Sequence, residues 1–334
     1  MNKIIANVLL SLFLSGCIST EEEIQKRVAQ TQLAMGIALT QSVESATPSL
    51  TPSLTPSPVP TLLPTSSPTP AITSTLAPDA WQTLPVIPTG VSMKMCQVYK
   101  LGQMLGNNPR AFSKVGDCQS MLPDFLGYID EGHYNLSKYS YLQSVIDFFA
   151  GSFGRNSRAV KNGLTASGVM VPLWNDWKDC GVNETPLDCE YRILRPSFAI
   201  ISVGTNDANG LVPFETTLRR VIDHTIGHGI VPILVTKADN AEGDNSINAT
   251  IVRLAYEYDI PLWNFWLVVQ PLPDHGLRSP EHLTYSEYGY PTDFSNPENM
   301  QYAFNVRNLN ALEVLYVVMN GCNDQTTGDV TPKP

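Results

Sequence analysis

Short apolar runs alternating with amphipathic stretches most narrow what this chain can fold into. "FSKVGD" (112–117), "SRAVKNG" (157–163), "SFAIISVG" (197–204), "GIVPILVT" (229–236) and "PLWNFWLVV" (261–269) have the length and residue types of strands. Between them, "YSYLQSVIDFFAG", "FETTLRRVIDHTIGHG" and "SINATIVRLAYEYD" carry apolar residues at helical spacing. "MKMCQVYKLGQMLGNN" precedes the series as a helix closed by Gly106-Asn107, and "NVRNLNALEVLYVVMNG" ends it. Strands that are apolar on both faces, each followed by a helix, require a parallel sheet covered on both sides. The expected fold class is α/β, a three-layer α/β/α sandwich of flavodoxin-like type. Ligands of such sheets sit at the carboxyl ends of the strands.

The chain has 334 residues, of which 43% are hydrophobic and 16% charged, with a formal net charge of −10. No basic run is present, which excludes nucleic acid as an expected partner. At the N-terminus, Lys3 precedes an apolar run from Ile4 to Leu14, too short to span a bilayer as a helix. The run ends in Leu14-Ser15-Gly16-Cys17, which resembles a bacterial lipobox; a cleaved secretory leader with a chance cysteine is the plainer alternative. The lipobox reading makes 1–17 a lipoprotein signal peptide with lipid on Cys17, anchoring the protein to the outer face of a bacterial membrane. Residues 18–45 read as a membrane-proximal helical spacer. Residues 46–80 are a linker rich in Pro, Ser and Thr, and about 35 residues at ~3.1 Å each reach on the order of 100 Å. The globular domain is expected over 91–322, with a disordered tail at 323–334.

An extracytoplasmic location permits disulfides. Of six cysteines, setting Cys17 aside leaves five, an odd number. Cys180 and Cys189 flank the turn-rich "GVNETPLD", which suits a local bridge, and Cys96 and Cys322 lie near the two ends of the domain. That pairing leaves Cys118 as a thiol; Cys96–Cys118 is the competing connectivity.

Chemistry-bearing residues gather where the strands end. Gly116-Asp117-Cys118 follows the first, Gly163 the second and Gly204-Thr205-Asn206-Asp207 the third, while a late loop carries Glu281-His282-Leu283-Thr284. Over about Ala111 to Gly321 this order resembles the SGNH, or GDSL-type, hydrolases. "IISVGTND" is the most distinctive block, "NGLTASGVM" the loosest. The resemblance implies a nucleophile at position 118, oxyanion donors at Gly163 and Asn206, and His282 as the base. A tetrahedral acyl intermediate needs such preorganised donors for its negative oxygen.

Two departures from the family pattern stand out. Cys118 occupies the place of the family's serine, and Ser279, three residues before His282, that of its aspartate. A thiol depends less on a triad acid, because a neighbouring histidinium can hold it as thiolate. Both changes suit a Cys–His dyad, and both suit decay of the site. Asp274, Glu281 or a backbone carbonyl are the candidates for orienting His282, and Ser120 is a displaced alternative nucleophile.

Outside these blocks, His224 and His228 have the His-x-x-x-His spacing that zinc uses. No glutamate follows the first histidine and the pair falls at a helix end, so dipole capping is the reading taken. No metal or organic cofactor is implied. Trp263 and Trp266 read as core residues on a strand. Trp174, Trp177, Tyr285 and Tyr288 fall in loops, where they suit a sugar-binding rim. The leading expectation is therefore a surface-anchored, monomeric esterase acting on O-acyl, carbohydrate-type esters. The alternative is a catalytically degenerate module of the same fold that binds carbohydrate or the cell envelope.

Overall fold

The computed structural model describes residues 79–322, apart from 176, 177, 209 and 211. Cys17, the spacer, most of the linker, Trp177 and the C-terminal tail lie outside the described residues. The elements used below are α1 (Met93–Met104), β1 (Asn108–Gly116), α2 (Gln143–Phe148), α3 (Pro186–Leu194), β2 (Pro196–Ser202), α4 (Phe214–Gly227), β3 (Val231–Val235), α5 (Ser246–Tyr258), β4 (Leu262–Trp263), α6 (Phe265–Val269), β5 (Leu277–Ser279), β6 (His282–Leu283) and α7 (Ala303–Gly321).

β1, β2, β3 and β4 form one four-stranded parallel sheet in that order. Every residue of β2 and β3 is buried, as a sheet covered on both faces requires. Phe112 and Phe198 are register partners and project to the same side, where Phe198 meets Tyr99 of α1 and Phe149 at the end of α2. Ser113, one residue on, points the other way and donates to Glu190 of α3. Tyr191 of α3 then bonds Thr225 of α4, and Arg219 of α4 pairs with Glu257 of α5. With Arg307 of α7 reaching Ser202 from the Phe198 side, α1, α2 and α7 form one outer layer and α3, α4 and α5 the other. The three-layer α/β/α architecture expected from the apolar runs is the one observed.

Two of the expected strands differ. "SRAVKNG" contributes only a single parallel bridge, Val160 to Gly116, on the free side of β1. Its apolar part is too short, and Gly163 at φ 72° turns the chain away. "PLWNFWLVV" is β4 for two residues and then α6. Asn264 makes the switch: it caps the helix by accepting from the Leu267 amide, and its own amide donates to the Trp81 and Leu84 carbonyls. A short apolar run cannot be assigned to strand or helix by periodicity alone. Trp263 is fully buried on β4 as expected, whereas Trp266 sits on α6 with its ring 4.8 Å from Trp81. Trp81 is itself buried, so packed structure extends upstream of Val91. Helix α3 was not anticipated, although Thr185-Pro186-x-Asp188 is a capping box with proline at the first turn.

Among the described residues two disulfides are present, Cys96–Cys322 and Cys180–Cys189, and Cys118 belongs to neither. The first joins α1 to the end of α7. Where α1 crosses the turn after α4, backbones touch: a Cβ on Gly102 would stand 2.0 Å from the Gly229 carbonyl oxygen. Gly102→Ala is therefore expected to destabilise the protein by roughly 1–3 kcal/mol, the usual cost of overpacking, read from the shift in urea unfolding midpoint.

Candidate active site

The carboxyl ends of β1 and β2 and the hairpin β5–β6 build one site. β1 ends at Gly116, where a side chain is excluded: a Cβ there would meet Ser120 Oγ at 2.5 Å and the Ser202 carbonyl oxygen at 2.6 Å. Asp117 then caps a short 3-10 turn, Cys118–Ser120, by accepting from the Gln119 amide. Cys118 is partly accessible, while Ser120 is buried beneath the end of β1. This position sets Ser120 aside as the displaced nucleophile considered from sequence.

His282 is carried by β6. In the β5–β6 hairpin, Ser279 and His282 are directly paired across the two-residue turn Pro280-Glu281. Cross-strand partners face each other, so Ser279 Oγ lies 2.8 Å from His282 Nδ1. With Nδ1–H donating to Ser279, Nε2 carries the lone pair that a general base needs. The orienting partner of His282 is thus Ser279, rather than Asp274, Glu281 or a backbone carbonyl. A second bond brings this hairpin to the cysteine: Gln119 Nε2 donates to the Glu281 carbonyl at 2.7 Å, joining the immediate neighbours of Cys118 and His282.

The oxyanion candidates come from the adjoining loops. Gly163 is buried with φ 72°, and the Asn206 amide points at the carbonyl of the next residue, Leu164, at 3.3 Å and at Asp117 Oδ2 at 3.3 Å. The structure therefore brings the Asp117–Cys118 turn, the Gly163 loop and Asn206 together. Below them, Asp207 holds the Ala166 amide, and Thr205 donates to buried Asp239, which pairs with Lys237. Trp174 does not reach a rim; it is buried against Gly168. Tyr285 and Tyr288 are exposed near His282.

Sequence reading missed Arg307. This α7 residue is fully buried, with its guanidinium over Phe125, Trp263 and Phe265 and Nη2 donating to Ser202 Oγ at 2.9 Å. Burial lowers its pKa to about 10, against the pull of Asp117 and Cys118, so it is a cation at neutral pH. No motif marks it, because its partners come from elements far apart in the chain.

Burial also raises two carboxyl groups at this site, Asp117 to about 6 and Asp207 to about 7. The folded state then holds protons that the unfolded state, at the ordinary 3.8, has released. This contribution is complete below the unfolded value and is lost as pH rises through the folded values. Between about pH 4 and 7 the urea midpoint of the wild type is expected to carry a falling component. Asp207→Asn keeps an acceptor for the Ala166 amide and should flatten that fall.

No family model matches the chain, and no curated protein matches it either. Solved structures do resemble it, among them these two. One is a lipolytic protein of the G-D-S-L family from Desulfitobacterium hafniense DCB-2, at 15% identity and TM-score 0.38, covering 61% of this chain and 99% of that one. The other is a GDSL-like lipase from Bacteroides thetaiotaomicron VPI-5482, at 15% identity and TM-score 0.35, covering 66% and 97%.

Proposed function

We propose that this protein hydrolyses acyl esters through a cysteine–histidine pair. The observation that carries the reading is the Gln119–Glu281 hydrogen bond, which sets the Cys118 turn against the His282 hairpin. His282 Nε2 takes the Cys118 thiol proton, the sulfur attacks the ester carbonyl, and the tetrahedral oxyanion is met by the Gly163 and Cys118 amides and by the Asn206 side chain. His282 Nε2–H gives its proton to the departing alcohol, leaving a thioester on Cys118. Water, deprotonated by His282, then attacks that thioester; the acid leaves and the thiolate and protonated imidazole are restored. Ser279 orients the ring but, being neutral, does little to offset imidazolium charge. A thiol needs less of that help than a serine.

Bridging of Cys118 to Cys96 would have favoured the degenerate-module reading; Cys96 instead pairs with Cys322. Tyr285, Tyr288 and Tyr290, exposed around the His282 loop, support a sugar ester as substrate. The N-terminal sequence supports anchorage through lipid on Cys17 at the cell surface. Among the described residues no helix is long and apolar enough to cross a membrane. The test is hydrolysis of p-nitrophenyl acetate by the full chain before and after iodoacetamide. Turnover abolished by alkylation, with mass spectrometry placing the label on Cys118 alone, is the expected result. Undiminished turnover by fully alkylated protein would refute the assignment.

A further inference from the structure

A second constellation lies on the opposite side of the sheet from Arg307, between α3 and α4. His224 occupies the last turn of α4 and His228 the position just after it, on one side of the helix, with ring centroids 4.4 Å apart. Sequence alone assigned this pair to helix capping. The fold adds a third group, because α3 brings Asp188 Oδ1 to 2.8 Å from His224 Nε2. One donor atom from each of the three lies within 4.8 Å of the others. We propose that Asp188, His224 and His228 bind a zinc ion that clamps α3 to α4, with water completing the coordination.

The donor set and its surroundings fit this ion. Two imidazoles and a carboxylate with one open position suit tetrahedral zinc, whose ligands at about 2.0–2.2 Å stand ~3.3 Å from one another. His228 Nδ1 is 2.8 Å from the His224 carbonyl oxygen; donating there, it leaves Nε2 for a metal. Asp188 Oδ2 accepts from Thr185 Oγ1 at 2.6 Å, which fixes the carboxylate and leaves Oδ1 directed at the histidines. The Tyr191 ring is stacked against His224 at 6.3 Å, restraining its rotation. Such supporting contacts are what a metal ligand usually has. His224 Nε2 is buried and faces Asp188 Oδ1 at 2.8 Å, so a cation beside the pair would be held by both.

His228 lies just before β3, at the amino ends of the strands, whereas Cys118 follows the carboxyl end of β1. The ion is therefore structural, and its binding is independent of the hydrolase reading. The test is calorimetric titration of the chelator-treated full chain with Zn²⁺ alone. It is run in Cys118→Ser protein so that the thiol cannot contribute. One Zn²⁺ per chain, a thermal midpoint raised by the metal, and tetrahedral absorption bands with Co²⁺ are expected. His228→Ala, at an exposed position, should remove all three while melting like the parent in the absence of metal. Thr185→Ala should weaken binding by roughly 10–100-fold. Failure of the parent to bind Zn²⁺, or unchanged binding and Co²⁺ spectrum in His224→Ala/His228→Ala, would overturn the proposal.

Discussion

Replacing Cys118 with alanine is expected to remove ester hydrolysis, and His282→Ala to lower kcat/KM by about 10²–10⁴, the usual contribution of a positioned base. The two substitutions together should cost little more than the worse of them, because nucleophile and base act in one step. Ser279→Ala should cost far less, roughly 2- to 10-fold, since it removes one neutral hydrogen bond worth about 0.5–1.5 kcal/mol. The reciprocal experiment is sharper. In Cys118→Ser the nucleophile is a hydroxyl, which gives up its proton far less readily than a thiol, and a neutral hydroxyl at position 279 leaves the histidinium without a counter-charge. Cys118→Ser should therefore be nearly inactive, and adding Ser279→Asp should recover part of the loss, with a ceiling of about 10⁴. Steady-state rates on p-nitrophenyl acetate decide it. Recovery with Ser279→Asp would establish Ser279 as the orienting group; equal rates in the single and double variants would exclude that role.

Loss of the Cys96–Cys322 disulfide is expected to be the largest single blow to stability. It closes a sequence separation of 226 residues, joining the first helix of the domain to the end of the last. The chain-entropy treatment assigns such a loop about 5 kcal/mol, and the Cys180–Cys189 bridge, at a separation of 9, about 3. Cys96→Ala/Cys322→Ala should thus lower unfolding free energy by about 2–5 kcal/mol, more than Cys180→Ala/Cys189→Ala does. Urea unfolding of both variants beside the parent, with and without reductant, measures the two terms separately. The ranking reverses only if the short bridge holds α3 against the sheet more strongly than the long one restricts the unfolded chain.

The two tests act on different parts of the molecule, and their legibility in sequence differed for the same reason. The cysteine turn, Gly163 and Asn206 stand at the ends of separate apolar runs, where the rule that parallel sheets present ligand sites at their carboxyl edge gathers them without any coordinates. His282, in a late loop, was joined to them by the family resemblance. Ser279 was seen as a departure from a pattern, and its use became visible only when the β5–β6 pairing placed it opposite His282. Asp188 and His224 are similar: one helix was unrecognised, so no spacing rule could connect them.

Patterns of burial along one segment, and the positions at which strands stop, are local properties of the chain. They were sufficient for the α/β class, the sheet's coverage and the set of residues at its rim. Which of those groups touch is a matter of packing between segments, set by side-chain volume and by the need to pair buried polar atoms. That is why Arg307 bonded to Ser202, Ser279 beside the histidine and Asn264 turning a strand into a helix belonged to the tertiary structure alone.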